Sequence, residues 1–242
     1  MQNPKALIII PSYNEAENLP KILDELSRLD HSDVLVIDDC SNDNTPDVLK
    51  KYNVNYVRNI FNMGYARSVQ TGIKYAYSNG YDFAIQMDAD GQHAVSDAKK
   101  LYQHIKDDDC DIVIGSRYLK KTNYKCPAFR RFGTKIFERL IKLFCHKKIA
   151  DPLSGFQCFN RKVMREYIQP DFYPEYPDAN LIMEMLYRGY KIHEISVEMK
   201  SRESGESMHG GFIKPAKYMV GMLYSIGLIV LQNLRRKVKV DE

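Results

Sequence analysis

Short, uninterrupted apolar runs alternate along this 242-residue chain with longer segments whose apolar residues recur every three or four positions. The first run, Lys5–Ile10, ends at Pro11 and reads as a strand covered on both faces. In Ala16–Leu29, the residues Leu19, Ile22, Leu23, Leu26 and Leu29 share one helical face. Val34–Ile37 predicts a second buried strand, closed by Asp38-Asp39. The stretch Ser41–Thr45 is rich in capping side chains, and Pro46 suits the first turn of a helix to about Lys51. The same reading gives strands at Val54–Val57, Phe83–Met87 and Asp111–Ile114, with helices at Gly64–Tyr77 and Asp97–Ile105. Such alternation predicts an α/β fold, a mostly parallel central sheet flanked by helices. Ligands in these sheets sit beyond the carboxyl ends of the strands, where Asn14, Asp39 and Asp88 fall.

After Arg117 the pattern changes. Phe129–Phe144 predicts a basic amphipathic helix with Phe132, Ile136, Leu140 and Leu143 on one face. A strand at Gly155–Phe159, a helix at Asp178–Tyr187 and a strand at Ile192–Met199 follow. Tyr218–Leu231 then runs 14 residues without a charge before Arg235-Arg236-Lys237. That run is too short to span a bilayer comfortably and suits a buried, re-entrant or interfacial helix. No Pro/Gly/Ser-rich linker divides the chain, so residues 1–211 read as one catalytic domain and 212–242 as a C-terminal helical extension.

Charge sharpens this division. Residues 1–116 carry 11 Lys and Arg against 18 Asp and Glu, whereas residues 117–148 carry 11 against Glu138 alone. An acidic half suited to metal is thus followed by a basic segment that attracts phosphate-bearing ligands or an anionic membrane. No recognition motif points to nucleic acid. The five cysteines are scattered without a CxxC pair, which predicts reduced thiols in a cytoplasmic setting.

The densest candidate chemistry lies in Asp88-Ala89-Asp90-Gly91-Gln92. A strand reaching the sheet edge would deliver Asp88 and Asp90 on one side, because side chains alternate along a strand. Two hard oxygen donors there suit magnesium or manganese, which in turn hold a diphosphate. The alternative is an ordinary strand-end turn, which Asp and Gly also favour. Neither GxGxxG nor GxxxxGK[ST] occurs, so a bound nucleotide would depend on carboxylates and metal instead of a glycine-rich loop.

Taken in order, Pro11-Ser12-Tyr13-Asn14-Glu15, Val36-Ile37-Asp38-Asp39-Cys40-Ser41, Asn62-Met63-Gly64 and the Asp88–Gln92 motif resemble the family 2 glycosyltransferases of GT-A fold. So do Gly115-Ser116-Arg117, Asp151-Pro152-Leu153-Ser154-Gly155-Phe156 and Arg202–Ser207; the last two, with the DADGQ motif, resemble the dolichyl- and polyprenyl-phosphate sugar transferase branch. The resemblance implies that Pro11, Tyr13, Glu15, Asp39, Asp88 and Ala89 contact a nucleoside diphosphate sugar donor, with Asp39 accepting from the base. It implies that Asp88, Asp90 and Gln92 hold the metal, with Asp90 central to catalysis. Arg117, Arg131 and Arg202 are the cations for the diphosphate or a phosphate acceptor, and Arg130 competes with Arg131. Glu15 could instead serve the helix dipole and Asp38 a structural cap. Gly64, Gly72 and Gly155 read as turn or packing glycines, and His93 as structural.

A sugar hydroxyl acceptor needs a carboxylate to take its proton, whereas a polyprenyl phosphate is already anionic. Asp178 is the candidate base, with Glu175 and Glu184 behind it, or else it is the N-cap of the following helix. The expected activity is inverting, metal-dependent sugar transfer to a polyprenyl phosphate or lipid-linked glycan for the cell envelope. Peripheral attachment at the inner face of the cytoplasmic membrane goes with it, and a homo-oligomer is compatible with the chain. A phosphohydrolase with Asp88 as nucleophile and a silent nucleotide-sugar binder are the competing classes.

Overall fold

The structure, a computed structural model, describes residues 4–28, 32–120, 128–169, 177–199 and 213–240. Among these residues seven strands form one sheet in the order β3-β2-β1-β4-β6-β5-β7. They are β1 (Ala6–Ser12), β2 (Ser32–Asp38), β3 (Asn55–Arg58), β4 (Phe83–Gln86), β5 (Ile112–Ser116), β6 (Gln157–Asn160) and β7 (Ile192–Ser196). The helices are α1 (Leu19–Leu26), α2 (Thr45–Tyr52), α3 (Tyr65–Ser78), α4 (Val95–Asp107), α5 (Ala128–Cys145), α6 (Arg161–Tyr167), α7 (Ala179–Tyr187) and α8 (Ile213–Val240).

Alternation along β1 explains the three layers. Ile8 and Ile10 join one core with Leu19, Ile22, Leu23 and Leu101, under α1 and α4. Leu7 and Ile9 join the other, with Val69 and Ile73 of α3, Phe137 of α5 and Ile182 of α7. With helices on both faces the strand has no wet side, so its sequence is continuously apolar. Packing is close: a Cβ added at Gly72 of α3 would lie 2.2 Å from Ile9 Cγ2. Gly72 is therefore a packing glycine, as its sequence context predicts.

Every strand pairing is parallel except those of β6, which runs antiparallel to both β4 and β5. This one reversal matters for the site. The residues preceding β6, Asp151–Phe156, reach the edge where β1, β2, β4 and β5 end.

Several boundaries differ from expectation. Residues 16–18 form a turn before α1, which begins with Asn18 as N-cap and Pro20 in the first turn. Strand β6 begins at Gln157, two residues after Gly155, because 151–156 is spent on side-chain anchoring. The seven-residue α6 was not expected; only its N-cap, Asn160 accepting from Val163 N, marks it locally. Helix α8 runs well past the uncharged segment on both sides. Its Met222 and Ile226 pack in the core, whereas Val220, Leu223, Tyr224, Leu228 and Leu231 are exposed. Among the described residues no helix is long and apolar enough to cross a membrane.

Candidate active site

The motif of residues 88–92 lies just past β4, in a turn. The strand ends at Gln86, so Asp88 and Asp90 are held by their hydrogen bonds and not by strand alternation. Tyr65, the first residue of α3, donates its hydroxyl to Asp88 Oδ1 at 2.5 Å and accepts from Gln86 Nε2 at 2.8 Å. His93 Nε2 stands 3.4 Å from Asp88 Oδ2, and its ring stacks on Phe156 at 4.5 Å. Asp90 Oδ1 accepts from Gln92 N at 3.0 Å, which closes the turn and sets Gln92 beside it. Burial opposes ionisation of Asp88, but hydrogen bonds from His93 and Tyr65 and the field of Arg117 hold its carboxyl below the usual range. Burial and Asp88's charge push the Tyr65 phenol well up, so it remains a donor at neutral pH.

Gly155 lies against this pair. A Cβ there would lie 2.7 Å from Tyr65 Oη and 3.4 Å from both Asp88 oxygens. The oxygen donors carried by residues 88–92, two carboxylates and the Gln92 amide, are of the kind a hard divalent cation takes, and at Gly155 no side chain crowds Asp88. Gly155 therefore belongs to the site, although sequence context assigned it no chemistry.

At the other end of the edge, Asp39 organises the loop after β3. Its Oδ1 accepts from Asn59 Nδ2 (2.7 Å) and Met63 N (2.9 Å), and its Oδ2 from Gly64 N (2.7 Å). A carboxylate offers about four acceptor positions, so these bonds leave little capacity for a ligand. Gly64 precedes α3 at φ +86°, a conformation open to glycine. Asp38 caps Ser41 N at 3.0 Å and faces Arg58, the structural role its position suggested. Pro11 is buried within β1, Tyr13 is 44% exposed just after it, and Ala89's side chain is in the core. Glu15 accepts from Asn18 Nδ2 at 2.5 Å, and its carbonyl accepts from Asn18 N and Leu19 N at the start of α1.

Arg117 is differently placed from what the sequence suggested. It is 5% exposed, and Asp151 is fully buried. Its Nε and Nη2 fork onto the two Asp151 oxygens at 2.6 and 2.7 Å, its backbone N donates to Asp151, and Nη2 also reaches Leu153 O. Glu194 of β7 in turn accepts from Ala150 N and Asp151 N. The guanidinium thus braces the 151–156 loop against the end of β5. Arg131 of α5 stacks its guanidinium on Tyr118 at 3.9 Å, and its Nη1 is buried with no hydrogen-bond partner among the described residues.

Asp178 occupies the N-cap position of α7 but makes no capping bond. Its carboxylate instead accepts from the Tyr218 hydroxyl of α8. Burial pushes it up to about 6, with Asp88's charge adding and the Tyr218 bond opposing. Asp88, Arg117, Asp151 and Asp178 therefore form one electrostatic cluster. Glu184 does not join it; it pairs with Arg188 at 2.7 Å. Glu175 and Arg202 lie outside the described residues, as does the side chain of Arg130. The sequence reading missed Tyr65, Gln86, Asp151 and Tyr218, and it gave His93 no role in the site. Tyr65, Gln86 and Asp151 carried a signal, through their place in or beside the motifs.

The family model for glycosyl transferase family 2 matches residues 7–168. A UDP-N-acetylglucosamine–dolichyl-phosphate N-acetylglucosaminyltransferase of Methanococcus voltae is 29% identical over 72% of this chain and 78% of its own length. An undecaprenyl-phosphate mannosyltransferase of Micrococcus luteus is 29% identical over 88% of this chain and 90% of its own. Among solved structures, S. aureus TarS 1-349 in complex with UDP-GlcNAc superimposes with a TM-score of 0.61 at 18% identity, over 86% of this chain and 61% of that one. Glucosyl-3-phosphoglycerate synthase from Mycobacterium tuberculosis, in complex with Mn2+, UDP and glucosyl-3-phosphoglycerate, gives 0.64 at 14% identity, over 96% and 80%. These two likenesses establish the fold as GT-A.

Proposed function

The chain belongs to glycosyl transferase family 2, and from that premise we propose that it is an inverting, metal-dependent transferase that moves a sugar from a nucleoside diphosphate to a polyprenyl phosphate. The observation that carries the acceptor class is Arg131. A buried guanidinium N–H without a partner is costly, and an acceptor phosphate is the group that satisfies it with a charge-assisted bond. Relatives whose names carry dolichyl and undecaprenyl phosphate support the same class. Neither competing class, phosphohydrolase or silent binder, draws support from these relatives.

In this reading Asp88, Asp90 and Gln92 hold the divalent cation, of which magnesium and manganese suit the oxygen donors. When bound, such an ion neutralises charge developing on the leaving diphosphate. Tyr65 and His93 orient Asp88, and the Arg117–Asp151 brace holds Gly155 against it. Arg131 aims the acceptor phosphate, whose oxygen attacks the anomeric carbon opposite the diphosphate and inverts it in one step. A phosphate oxygen brings its own charge, so no protein base is required. The exposed apolar face of α8, followed by Arg235, supports contact with an anionic bilayer where the acceptor resides.

A second reading, a hydroxyl acceptor on a lipid-linked glycan, is favoured by Asp178 alone: a carboxyl at about 6 with no capping duty is suited to general-base work. Steady-state kinetics on Arg131→Ala and Asp178→Asn separates the two. The phosphate reading requires Arg131→Ala to raise the KM for polyprenyl phosphate at least tenfold with the donor KM unmoved, and Asp178→Asn to keep most of kcat. Loss of kcat by about 10²-fold or more in Asp178→Asn, with Arg131→Ala normal, replaces it with the hydroxyl reading.

A further inference from the structure

At the opposite edge of the sheet, away from Asp88, three side chains from separate elements converge. His104 comes from the last turn of α4, Cys110 from the residues leading into β5, and His193 from the start of β7. Their ligand atoms all lie within 4.8 Å of one another, and His104 Nε2 is 3.1 Å from His193 Nδ1. Cys110 is buried, and both histidines are partly exposed, which gives an ion a way in.

We propose that His104, Cys110 and His193 form a binding site for a borderline-soft divalent cation, zinc above all, separate from the catalytic edge. The spacing of the two imidazoles suits this chemistry, with the thiol within 4.8 Å of both. Zinc–nitrogen bonds of about 2.0–2.1 Å and zinc–sulfur bonds of about 2.3 Å place tetrahedral ligand atoms roughly 3.3–3.6 Å apart. The two facing nitrogens already meet that separation within a few tenths of an ångström. His104 also carries the supporting contact such ligands use: its Nδ1 lies 3.0 Å from Asp108 Oδ2. A proton on Nδ1 bonded to that carboxylate leaves the Nε2 lone pair facing His193 and Cys110. Asp108, Asp109 and Asp111 surround the cysteine with negative charge that favours a cation. Binding would deprotonate the thiol and release its proton to solvent.

The donor set also keeps the two metal sites distinct. Two imidazoles and a thiolate select zinc or cobalt, whereas the Asp88–Asp90 turn offers oxygen alone and selects magnesium or manganese. The effect of an ion here would be mechanical. Among the described residues strand β7 is the last of the sheet and pairs only with β5. An ion would tie the end of α4 to both strands and close that edge.

The test uses the full chain, stripped of metal and titrated with Co2+ in the presence of excess Mg2+. The expected result is one Co2+ per chain with a thiolate-to-cobalt charge-transfer band. The band should vanish in Cys110→Ser and persist in Cys145→Ser. Binding should weaken at least tenfold in Asp108→Asn, which removes both the acceptor that orients His104 and one negative charge beside Cys110. Since Cys110 is packed in the core, His104→Gln on a partly exposed side chain serves as the second variant and should also lose the band. Zn2+ should raise the melting temperature of the parent and leave that of His104→Gln unmoved. Absence of a thiolate band in the parent, or its survival in both Cys110→Ser and His104→Gln, overturns the site.

Discussion

Arg117 offers the sharpest test of the structural reasoning, because sequence and structure give it different work. As a cation for the donor diphosphate it would be dispensable for folding. As the partner of a fully buried Asp151 it is a brace. Removing one member of a buried ion pair leaves an uncompensated charge and costs about 3–5 kcal/mol. In a chain of this size each kcal/mol moves the melting temperature about 2–4 °C, so Arg117→Ala should melt roughly 6–20 °C below the parent. Arg117→Lys keeps the charge but cannot fork onto both oxygens, and should lose about 1.5–3 kcal/mol. Urea unfolding of Arg117→Ala, Asp151→Asn and the double variant completes the cycle. The double variant should be more stable than the sum of the single losses predicts. Additive losses below about 1 kcal/mol each, together with a raised donor KM, would show that Arg117 binds ligand and does not brace the loop.

Three further outcomes follow from the geometry. Asp178 titrates near 6 when folded and near 3.8 when not, so the folded chain binds more protons and stability falls as pH rises through that window. Asp178→Asn should then exceed the parent by up to about 3 kcal/mol above pH 6, with the gap closing toward pH 4; a gap independent of pH contradicts this. Gly155→Ala should fold but bind metal and donor at least tenfold more weakly, because its Cβ would displace the Tyr65–Asp88 bond; calorimetric Mn2+ titration reads this directly. Gly72→Ala should do the reverse, costing about 1–3 kcal/mol by thermal melting through its clash with Ile9 while leaving kcat per folded molecule unchanged.

Much of this was legible along the chain, and the exceptions share a cause. β1 could be read because both its faces are covered, which forces a continuous apolar run. Helix α1 could be read because it buries one stripe. In α5 the helix was legible but its buried face was not: Phe137 and Ile141 are buried, whereas Phe132 and Leu143, expected on the apolar face, are 62% and 64% exposed. The direction of β6 could not, since local pattern carries no strand orientation, yet that reversal brings Gly155 to Asp88. Asp151 lies 34 residues from Arg117 and Tyr218 lies 40 from Asp178, so neither partnership leaves a local trace. The motifs single out Asp39 and Asp88, whose carboxylates carry dense hydrogen bonding in the structure. What they could not tell is which of those oxygens were already committed to the protein's own donors.

The central claim, sugar transfer from a nucleoside diphosphate to a lipid phosphate, is tested most directly by counting transfer itself. Purified full chain would be incubated with Mn2+ or Mg2+ and a panel of labelled nucleotide sugars, with and without a short polyprenyl phosphate, and label counted in the butanol-extractable phase. One donor should transfer label only with both metal and polyprenyl phosphate present, and Asp90→Ala should abolish the transfer. Metal-dependent nucleotide binding without label entering the lipid phase for any donor would contradict it.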